Sequence, residues 1–205
     1  MQLIANNLCL DRGGRRVVDR LSFTVSAGEA LVLTGPNGAG KTTLIRALAG
    51  FLPAAEGTVL LEGGAADAEI AEQCHFVGHK DGVKGALSVA ENAAFFARYL
   101  GTSSTADGAT VSEALDRLGL ADLPDVPAAW LSAGQRRRLG LARLILTKRP
   151  LWLLDEPTVS LDAVAVATLA TIIGQHIGQG GLVVAATHIP LGLTAARELK
   201  MGAGS

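Results

Sequence analysis

The sequence predicts an α/β fold, a parallel sheet into which a helical subdomain is inserted. Strand-like apolar segments lie near both ends of the chain, and a helix-rich segment covers about residues 80–148 between them. A glycine-rich motif at residues 35–42 follows one of these strands and opens a helix. With 49% hydrophobic and 18% charged residues in a length of 205, the chain belongs to neither the disordered nor the coiled-coil class.

The two ends of the chain have the patterns of short strands. Before the helix-rich segment, apolar runs and glycine turns predict strands over residues 3–10, 17–25, 30–34, 58–61 and 74–77, with a helix over residues 42–49. After it, strands are predicted over residues 151–154 and 182–186, with a helix between them. Cys9 and Cys74 lie in apolar stretches, and we expect both to be buried free thiols.

Two capping boxes mark helix starts in the middle segment. Ser88 with Glu91, and Thr110 with Glu113, place a hydroxyl three residues before a glutamate. In such a pair the hydroxyl accepts the third amide proton while the glutamate reaches back to the cap. Helices are therefore predicted to about residues 100 and 118, and a third over residues 133–146.

The charge balance argues against nucleic acid as a partner. Eighteen basic and 19 acidic residues give a net charge of −1, so no long-range field attracts a polyanion. The one basic run, Arg136-Arg137-Arg138, is predicted to be a solvated helix face. Residues 163–196 carry no charge, but glycines interrupt them, so we predict a helix, a turn and a buried strand and no transmembrane segment.

The motif at residues 35–42 predicts a phosphate-binding loop. It matches GxxxxGK[ST] without a gap, and we expect the loop and the next hydroxyl to bind ATP through Gly35, Pro36, Asn37, Gly38, Ala39, Gly40, Lys41, Thr42 and Thr43. Glycines let backbone N–H groups approach phosphate oxygens, and the helix N-terminus adds its dipole. Lys41 supplies a positive charge, and the Thr42 hydroxyl is a suitable Mg²⁺ ligand.

A pair of carboxylates completes the predicted site. Asp155 and Glu156 follow an apolar strand, and ligands of α/β sheets bind at the carboxyl ends of strands. We expect Asp155 to hold Mg²⁺ together with Thr42. Glu156 is the candidate for orienting or deprotonating the attacking water.

A pentapeptide before the third helix carries a family resemblance. Leu131, Ser132, Ala133, Gly134 and Gln135 resemble the LSGGQ signature of ATP-binding cassette (ABC) proteins, with alanine for the first glycine. The resemblance implies a RecA-like P-loop NTPase fold over residues 1–205, with a mostly parallel core sheet, an N-terminal antiparallel β subdomain and an inserted α-helical subdomain. Residues 1–79 and 149–205 would form the nucleotide-binding core, and residues 80–148 the helical subdomain.

The same resemblance implies a head-to-tail pair of subunits. Ser132 and Gly134 at a helix tip form a second anion site, which in the family faces the ATP of the partner copy. Ser160, Leu161 and Asp162 resemble the D-loop that crosses this interface. His188, at a strand end, resembles the switch histidine, which binds the γ-phosphate and steadies the water together with Glu156.

Two positions depart from the family pattern. The Q-loop glutamine is replaced by His79, whose charge can vary near neutral pH. The aromatic residue that stacks on adenine is replaced by Arg12, whose guanidinium can also stack on a base.

A narrower resemblance concerns residues 76–92 and 131–138. Gly78-His79, the lysine before the first capping box and the Ser-Ala-Gly-Gln-Arg-Arg run resemble the haem-exporter ATPases of bacterial cytochrome c maturation. This implies integral membrane permease subunits as partners and a peripheral position at the cytoplasmic face of the inner membrane. Because the sequence has neither long coiled-coil insertions nor a second cassette, we expect a transport ATPase, and from the short stretch after His188 we expect no regulatory domain there. The alternatives are another small exporter ATPase, for drugs or lipids, and a soluble non-transport ABC switch protein.

Overall fold

The computed structural model describes residues 1–101, 109–188, 191–193 and 196–202. The strands within these ranges are β1 (Gln2–Arg12), β2 (Arg15–Ser26), β3 (Ala30–Thr34), β4 (Glu56–Glu62), β5 (Cys74–Val77), β6 (Leu151–Asp155), β7 (Leu182–Ala186) and β8 (Ala196–Lys200). The helices are α1 (Lys41–Leu48), α2 (Ile70–Gln73), α3 (Val89–Leu100), α4 (Val111–Arg117), α5 (Ala133–Leu141), α6 (Arg143–Leu146) and α7 (Ala163–Gly178), with a 3₁₀ turn at Ala128–Trp130.

The strands form two sheets. The core sheet has the order β5-β6-β7-β3-β8, and every described neighbour pair in it is parallel. The smaller sheet has the order β2-β1-β4 and is antiparallel. The α/β fold with a parallel core sheet, an antiparallel β subdomain and an inserted helical segment is confirmed.

The core sheet separates two apolar clusters because its strands alternate their side chains. In β6, Leu151 and Leu153 pack with α1 and the antiparallel sheet. Trp152 and Leu154 face the opposite side, toward α3 to α7. All residues of β6 and β7 are buried, which explains why both strands are continuous apolar runs rather than alternating ones.

The helix starts follow the predicted capping chemistry. Ser88 Oγ accepts the Glu91 N–H at 3.2 Å while the Glu91 carboxylate accepts the Ser88 N–H at 2.7 Å. Thr110 and Glu113 make the same reciprocal pair at the start of α4. These bonds fix the first residues of α3 and α4.

Other details differ from the sequence prediction. The predicted helix over residues 133–146 is interrupted at Ala142, which keeps helical dihedral angles. The short helix α2 and the edge strand β8 were not predicted. Cys9 and Cys74 are free and buried, as expected. Within the described ranges, no helix has the length and apolarity needed to cross a membrane. The division of the chain into a core and a helical subdomain remains a prediction.

Candidate active site

The glycine loop lies between the end of β3 and the start of α1. Gly35 has φ +130°, and a Cβ at this position would lie 2.2 Å from the Met201 carbonyl oxygen. Gly40 has φ +93° in the left-handed region and forms the N-cap of α1 without a side-chain bond. Both positions therefore need glycine, and they leave the N-terminus of α1 open toward the cleft described below.

Lys41 is the first residue of α1 and its side chain folds back over the loop. Its Nζ donates to the Gly35 carbonyl at 2.7 Å and to the Pro36 carbonyl at 3.0 Å. The residue is only 7% exposed, so the loop carbonyls compensate the cost of burying the ammonium group. A positive charge is thus held at the mouth of the loop.

Thr42 and Asp155 come from distant parts of the chain and place two potential oxygen ligands for a metal ion side by side. The Thr42 hydroxyl donates to the Asp155 carboxylate at 3.0 Å. Asp155 is the last residue of β6 and is 2% exposed. Because Mg²⁺ prefers oxygen ligands and takes only one or two from the protein beside phosphate and water, this pair fits a magnesium ion.

Glu156 has an unusual backbone conformation directly after β6. Its φ is +49°, which is uncommon for a residue with a side chain. Its N–H donates to the Ala186 carbonyl at 2.8 Å, so the backbone is tied to the neighbouring strand β7. His188 lies beyond the end of β7 with its Nε2 3.3 Å from Oε1 of Glu156.

These side chains surround one cleft of about 490 Å³, called the main cleft here. It is lined by Arg12, Val17, Asn37, Gly38, Gly40, Lys41, Thr42, Thr43, His79, Asp155, Glu156, Val159 and His188. The structure therefore brings together the glycine loop, both carboxylates, and the predicted Arg12, His79 and His188. Their roles in nucleotide binding and hydrolysis remain predictions.

The signature and D-loop residues lie in a separate place. A second recess of about 340 Å³ is lined by residues that include Leu131, Ala133 and Ser160. His79 and Val159 line both this recess and the main cleft. The two predicted nucleotide-binding faces of one subunit are therefore distinct but adjoining.

The tip of α5 is open to solvent. Ser132 and Ala133 are exposed. Ser132 Oγ accepts the Gln135 N–H at 3.1 Å, and Gln135 Oε1 accepts the Ser132 N–H at 2.9 Å, so the serine also acts as an ordinary N-cap. A Cβ on Gly134 would lie 2.9 Å from the Ser160 carbonyl oxygen, which explains the need for glycine where this tip meets the D-loop segment.

The D-loop segment leads directly into α7. Ser160 has φ +66°, and the Leu161 N–H donates to the Thr158 carbonyl at 3.1 Å. Asp162 caps α7 by accepting the Ala165 N–H at 2.8 Å. The segment is thus fixed at both ends while Ser160 itself stays exposed.

The prediction of a solvated face for the three arginines is wrong. Arg137 is 4% exposed and its guanidinium binds the Asp81 carboxylate and three backbone carbonyls. Arg136 and Arg138 also donate to backbone carbonyls, of residues 128–129 and 118–119. One signal was available in the sequence: Arg137 shares a helix face with Leu141 and Leu144, four and seven residues later.

Two solved structures with this architecture are described as ATP-binding proteins of ABC transporters. One, described as the ATP-binding subunit of an ABC transporter, aligns with a TM-score of 0.79 over 92% of this chain and 80% of its own, at 23% identity. A candidate ABC transporter ATP-binding protein from Pyrococcus furiosus aligns with a TM-score of 0.81 over 98% of both chains, at 22% identity. At these identities the likeness shows the fold alone.

Sequence comparison gives the family. A family model described as ABC transporter matches residues 18–159. The chain belongs to this family and is one of its ATPase subunits. It is 48% identical, over the full length of both chains, to the cytochrome c biogenesis ATP-binding export protein CcmA of Rhodopseudomonas palustris strain BisB5. It is 49% identical to the CcmA protein of Nitrobacter winogradskyi over 98% of each chain.

Proposed function

We propose that the chain is the ATP-hydrolysing subunit of an export complex in c-type cytochrome biogenesis, a haem exporter. The observation that carries this proposal is the 48% identity over 100% of both chains with a protein named for that process. The residues behind the narrower resemblance, Gly78-His79 and the 131–138 run, adjoin the two recesses of the structure. His79 and Ala133 are exposed whereas Gly78, Leu131 and Arg137 are buried, so the resemblance includes both surface residues of the site and residues packed behind it.

ATP would bind in the main cleft with its phosphates against the glycine loop. Lys41 would move from the loop carbonyls to the β- and γ-phosphates, because an ammonium group gains more from phosphate oxygens than from neutral carbonyls. Thr42 and Asp155 would hold Mg²⁺, which when bound neutralises charge on the phosphate oxygens. Arg12, exposed at the end of β1, would lie against the base.

Glu156 would act as the general base in hydrolysis. It would accept a proton from water as the water oxygen bonds to the γ-phosphorus, and the bond from phosphorus to the β–γ bridging oxygen would break. ADP and inorganic phosphate are the products. His188 would hold the Glu156 carboxylate in place and reach the γ-phosphate, and His79 would face the same water from the other wall of the cleft.

Two copies would close head to tail around two ATP molecules. The open tip of α5, with Ser132 and Gly134, would approach the γ-phosphate bound by the partner copy. The exposed position of Ser132 supports this arrangement, since a tip buried in its own subunit could not reach a neighbour. Permease subunits in the membrane would receive the movement, with the ATPase held peripherally at the cytoplasmic face of the bacterial inner membrane.

Deletion of the gene tests the proposal. We expect covalent c-type cytochromes to disappear from the deletion strain, to return with the wild-type chain, and to stay absent with the Glu156→Gln variant expressed at the same level. Undiminished c-type cytochromes in the deletion strain would assign the ATPase to a different cargo. Fractionation with and without the permease subunits adds an independent measure, because a transporter subunit sediments with membranes only in their presence.

A further inference from the structure

Arg137 makes a set of bonds that joins three segments of the protein. Its Nη1 donates to the Gly78 carbonyl and to Asp81 Oδ1, both at 2.7 Å. Its Nη2 donates to the Glu156 carbonyl at 2.7 Å, and its Nε to the Pro157 carbonyl at 3.2 Å. The planar guanidinium thus uses its fork geometry on four acceptors, which a lysine cannot reproduce.

These acceptors belong to two walls of the main cleft. Gly78 and Asp81 flank His79, which lines one wall. Glu156 belongs to the other wall, and its carbonyl accepts directly from Arg137. Arg137 itself lies in α5, the helix whose exposed tip carries Ser132. One buried side chain of α5 therefore connects the candidate general base Glu156 with residues 78–82, called the His79 segment here.

The bond from Arg137 to the Glu156 carbonyl helps to hold Glu156 in an uncommon backbone conformation. A residue with a side chain at φ +49° costs free energy and persists only where its surroundings fix it. The Ala186 carbonyl holds the N–H of Glu156, and Arg137 holds its carbonyl. Loss of the guanidinium would leave the Glu156 carbonyl with only the longer bond from the Val159 N–H, at 3.3 Å, so the residue would be held less firmly and its carboxylate would sample other positions.

Asp81 is fixed by a second arginine. Arg143 Nη2 donates to the Asp81 backbone carbonyl, and Arg137 binds the Asp81 carboxylate. Burial is the main cause that lowers the pKa of Arg143 to about 10, with Asp81 opposing the shift and the nearby Arg137 adding to it. The two arginines thus bind Asp81 at its carboxylate and at its backbone carbonyl, which gives the 78–82 segment a defined place against α5.

We propose that Arg137 is a positioning residue for ATP hydrolysis, which holds the Glu156 carboxylate and the His79 segment at the distance that the reaction needs. This inference rests on the proposed function of the main cleft. We expect Arg137 to affect the rate of the chemical step rather than nucleotide binding, because none of its four bonds involves the glycine loop.

Steady-state ATPase kinetics of Arg137→Gln test the inference on the purified full-length chain. Since a displacement of about 1 Å at a reacting group can cost about 10²-fold in rate, we expect kcat to fall by at least about tenfold while KM for ATP stays within about twofold. Arg137→Lys retains the charge for Asp81 but not the four-acceptor fork, and should lie between wild type and Arg137→Gln. Arg138→Gln is the matched control, because Arg138 donates to the Leu118 and Gly119 carbonyls away from the cleft.

Combination with Glu156→Gln separates positioning from general destabilisation. Where no carboxylate remains to be positioned, Arg137→Gln should lower the residual rate of Glu156→Gln by no more than about twofold, although it lowers the wild-type rate strongly. Equal fractional losses in both backgrounds, or equal losses for Arg137→Gln and Arg138→Gln, would overturn the inference.

A third variant keeps the inference testable if Arg137→Gln does not fold, and Glu156→Gln alone tests the assignment of the cleft. If Arg137→Gln is not recovered folded, Asp81→Asn keeps the arginine and its carbonyl bonds, and should lower kcat to a smaller extent at unchanged KM. A wild-type rate for folded Asp81→Asn would then overturn the inference. An unaltered kcat for Glu156→Gln alone would instead refute the proposed function of the cleft, so the two failures are distinguishable.

Discussion

His188 contacts both oxygens of the Glu156 carboxylate. Its ring Nε2 lies 3.3 Å from Oε1, and its backbone N–H donates to Oε2 at 3.4 Å. The two residues come from the ends of neighbouring parallel strands, where Asp155 pairs with Ala186. The carboxylate is 14% exposed and the histidine 54%, so the pair faces the cleft from the sheet edge.

Glu156→Gln should separate nucleotide binding from hydrolysis. Glutamine has nearly the same shape and can still bond the His188 N–H, but it cannot accept the proton of water. We expect ATP affinity to be retained and kcat to fall by about 10²–10⁴, with closed dimers accumulating in Mg-ATP. Equilibrium ATP binding, single-turnover kinetics and size-exclusion chromatography measure the three effects. Normal turnover would remove Glu156 from the reaction.

Lys41→Ala should weaken triphosphate binding. The variant removes the positive charge of Lys41 Nζ, which lies 2.7 Å from the Gly35 carbonyl of the glycine loop. A hydrogen bond to a charged group contributes about 1.5–3 kcal/mol, so we expect the ATP dissociation constant to rise at least about tenfold. Lys148→Ala, at an exposed lysine before β6, is the control and should bind like wild type. Unchanged affinity in Lys41→Ala would exclude the lysine from the site.

Ser132→Arg should prevent dimer closure without preventing ATP binding to one subunit. A long side chain at the exposed tip of α5 would occupy the space that the partner's γ-phosphate needs, whereas the main cleft of the same subunit is not altered. Equilibrium nucleotide binding and sedimentation in Mg-ATP, both in the Glu156→Gln background, measure the two properties. Ser132→Thr retains the N-cap and Ser112→Arg places the same charge on α4, so both should still dimerise. Dimerisation of the Ser132→Arg, Glu156→Gln double variant at the level of Glu156→Gln alone would contradict the head-to-tail model.

The sequence was most informative where a function depends on neighbouring residues. The glycine loop and the α5 tip are contiguous segments, and their chemistry requires particular residue types at fixed spacing. Asp155 and Glu156 were predictable because an apolar run ended in two carboxylates, and strand ends of a parallel sheet meet at one edge. The resemblance placed His79 and Arg12 beside them, and the structure puts both in the main cleft.

Features that depend on distant partners were missed. Arg137 and Asp81 are 56 positions apart, and a run of three arginines normally indicates a solvated face. Strand β8 contains Arg197, Glu198 and Lys200, all exposed, so its pattern lacks the apolar alternation of a half-buried strand. It exists because its backbone pairs with β3 at the edge of the sheet. Backbone pairing of this kind leaves little trace in side-chain identity.

Two histidines, the buried His75 and the half-buried His176, should make the fold less stable in mild acid. Burial is the main cause that lowers the pKa of His75 from 6.5 to about 3 and that of His176 from 6.5 to about 4. Below pH 6.5 the unfolded chain therefore takes up protons that the folded chain does not, and stability is lost as the pH falls toward those values. Each histidine is half protonated in the unfolded chain at pH 6.5 and almost fully protonated at pH 5.5, so it lowers the free energy of unfolding by about 1 kcal/mol over this range, and the two together by about 2 kcal/mol. Urea unfolding followed by circular dichroism across this range measures the slope.

His176→Phe tests whether buried imidazole causes that slope. His176 stacks on Trp152 with ring centroids 3.9 Å apart and planes at 6°, and phenylalanine can retain this contact without taking up a proton. The variant should lose about half of the pH dependence below pH 6.5, whatever its stability at pH 7.5, because His75 still titrates only in the unfolded chain. His75 is held by its Nε2, 2.9 Å from the Thr147 carbonyl, and its replacement by asparagine in the His176→Phe background should remove most of the remaining slope. A slope unchanged in the double variant would show that other groups, not these imidazoles, cause the acid sensitivity.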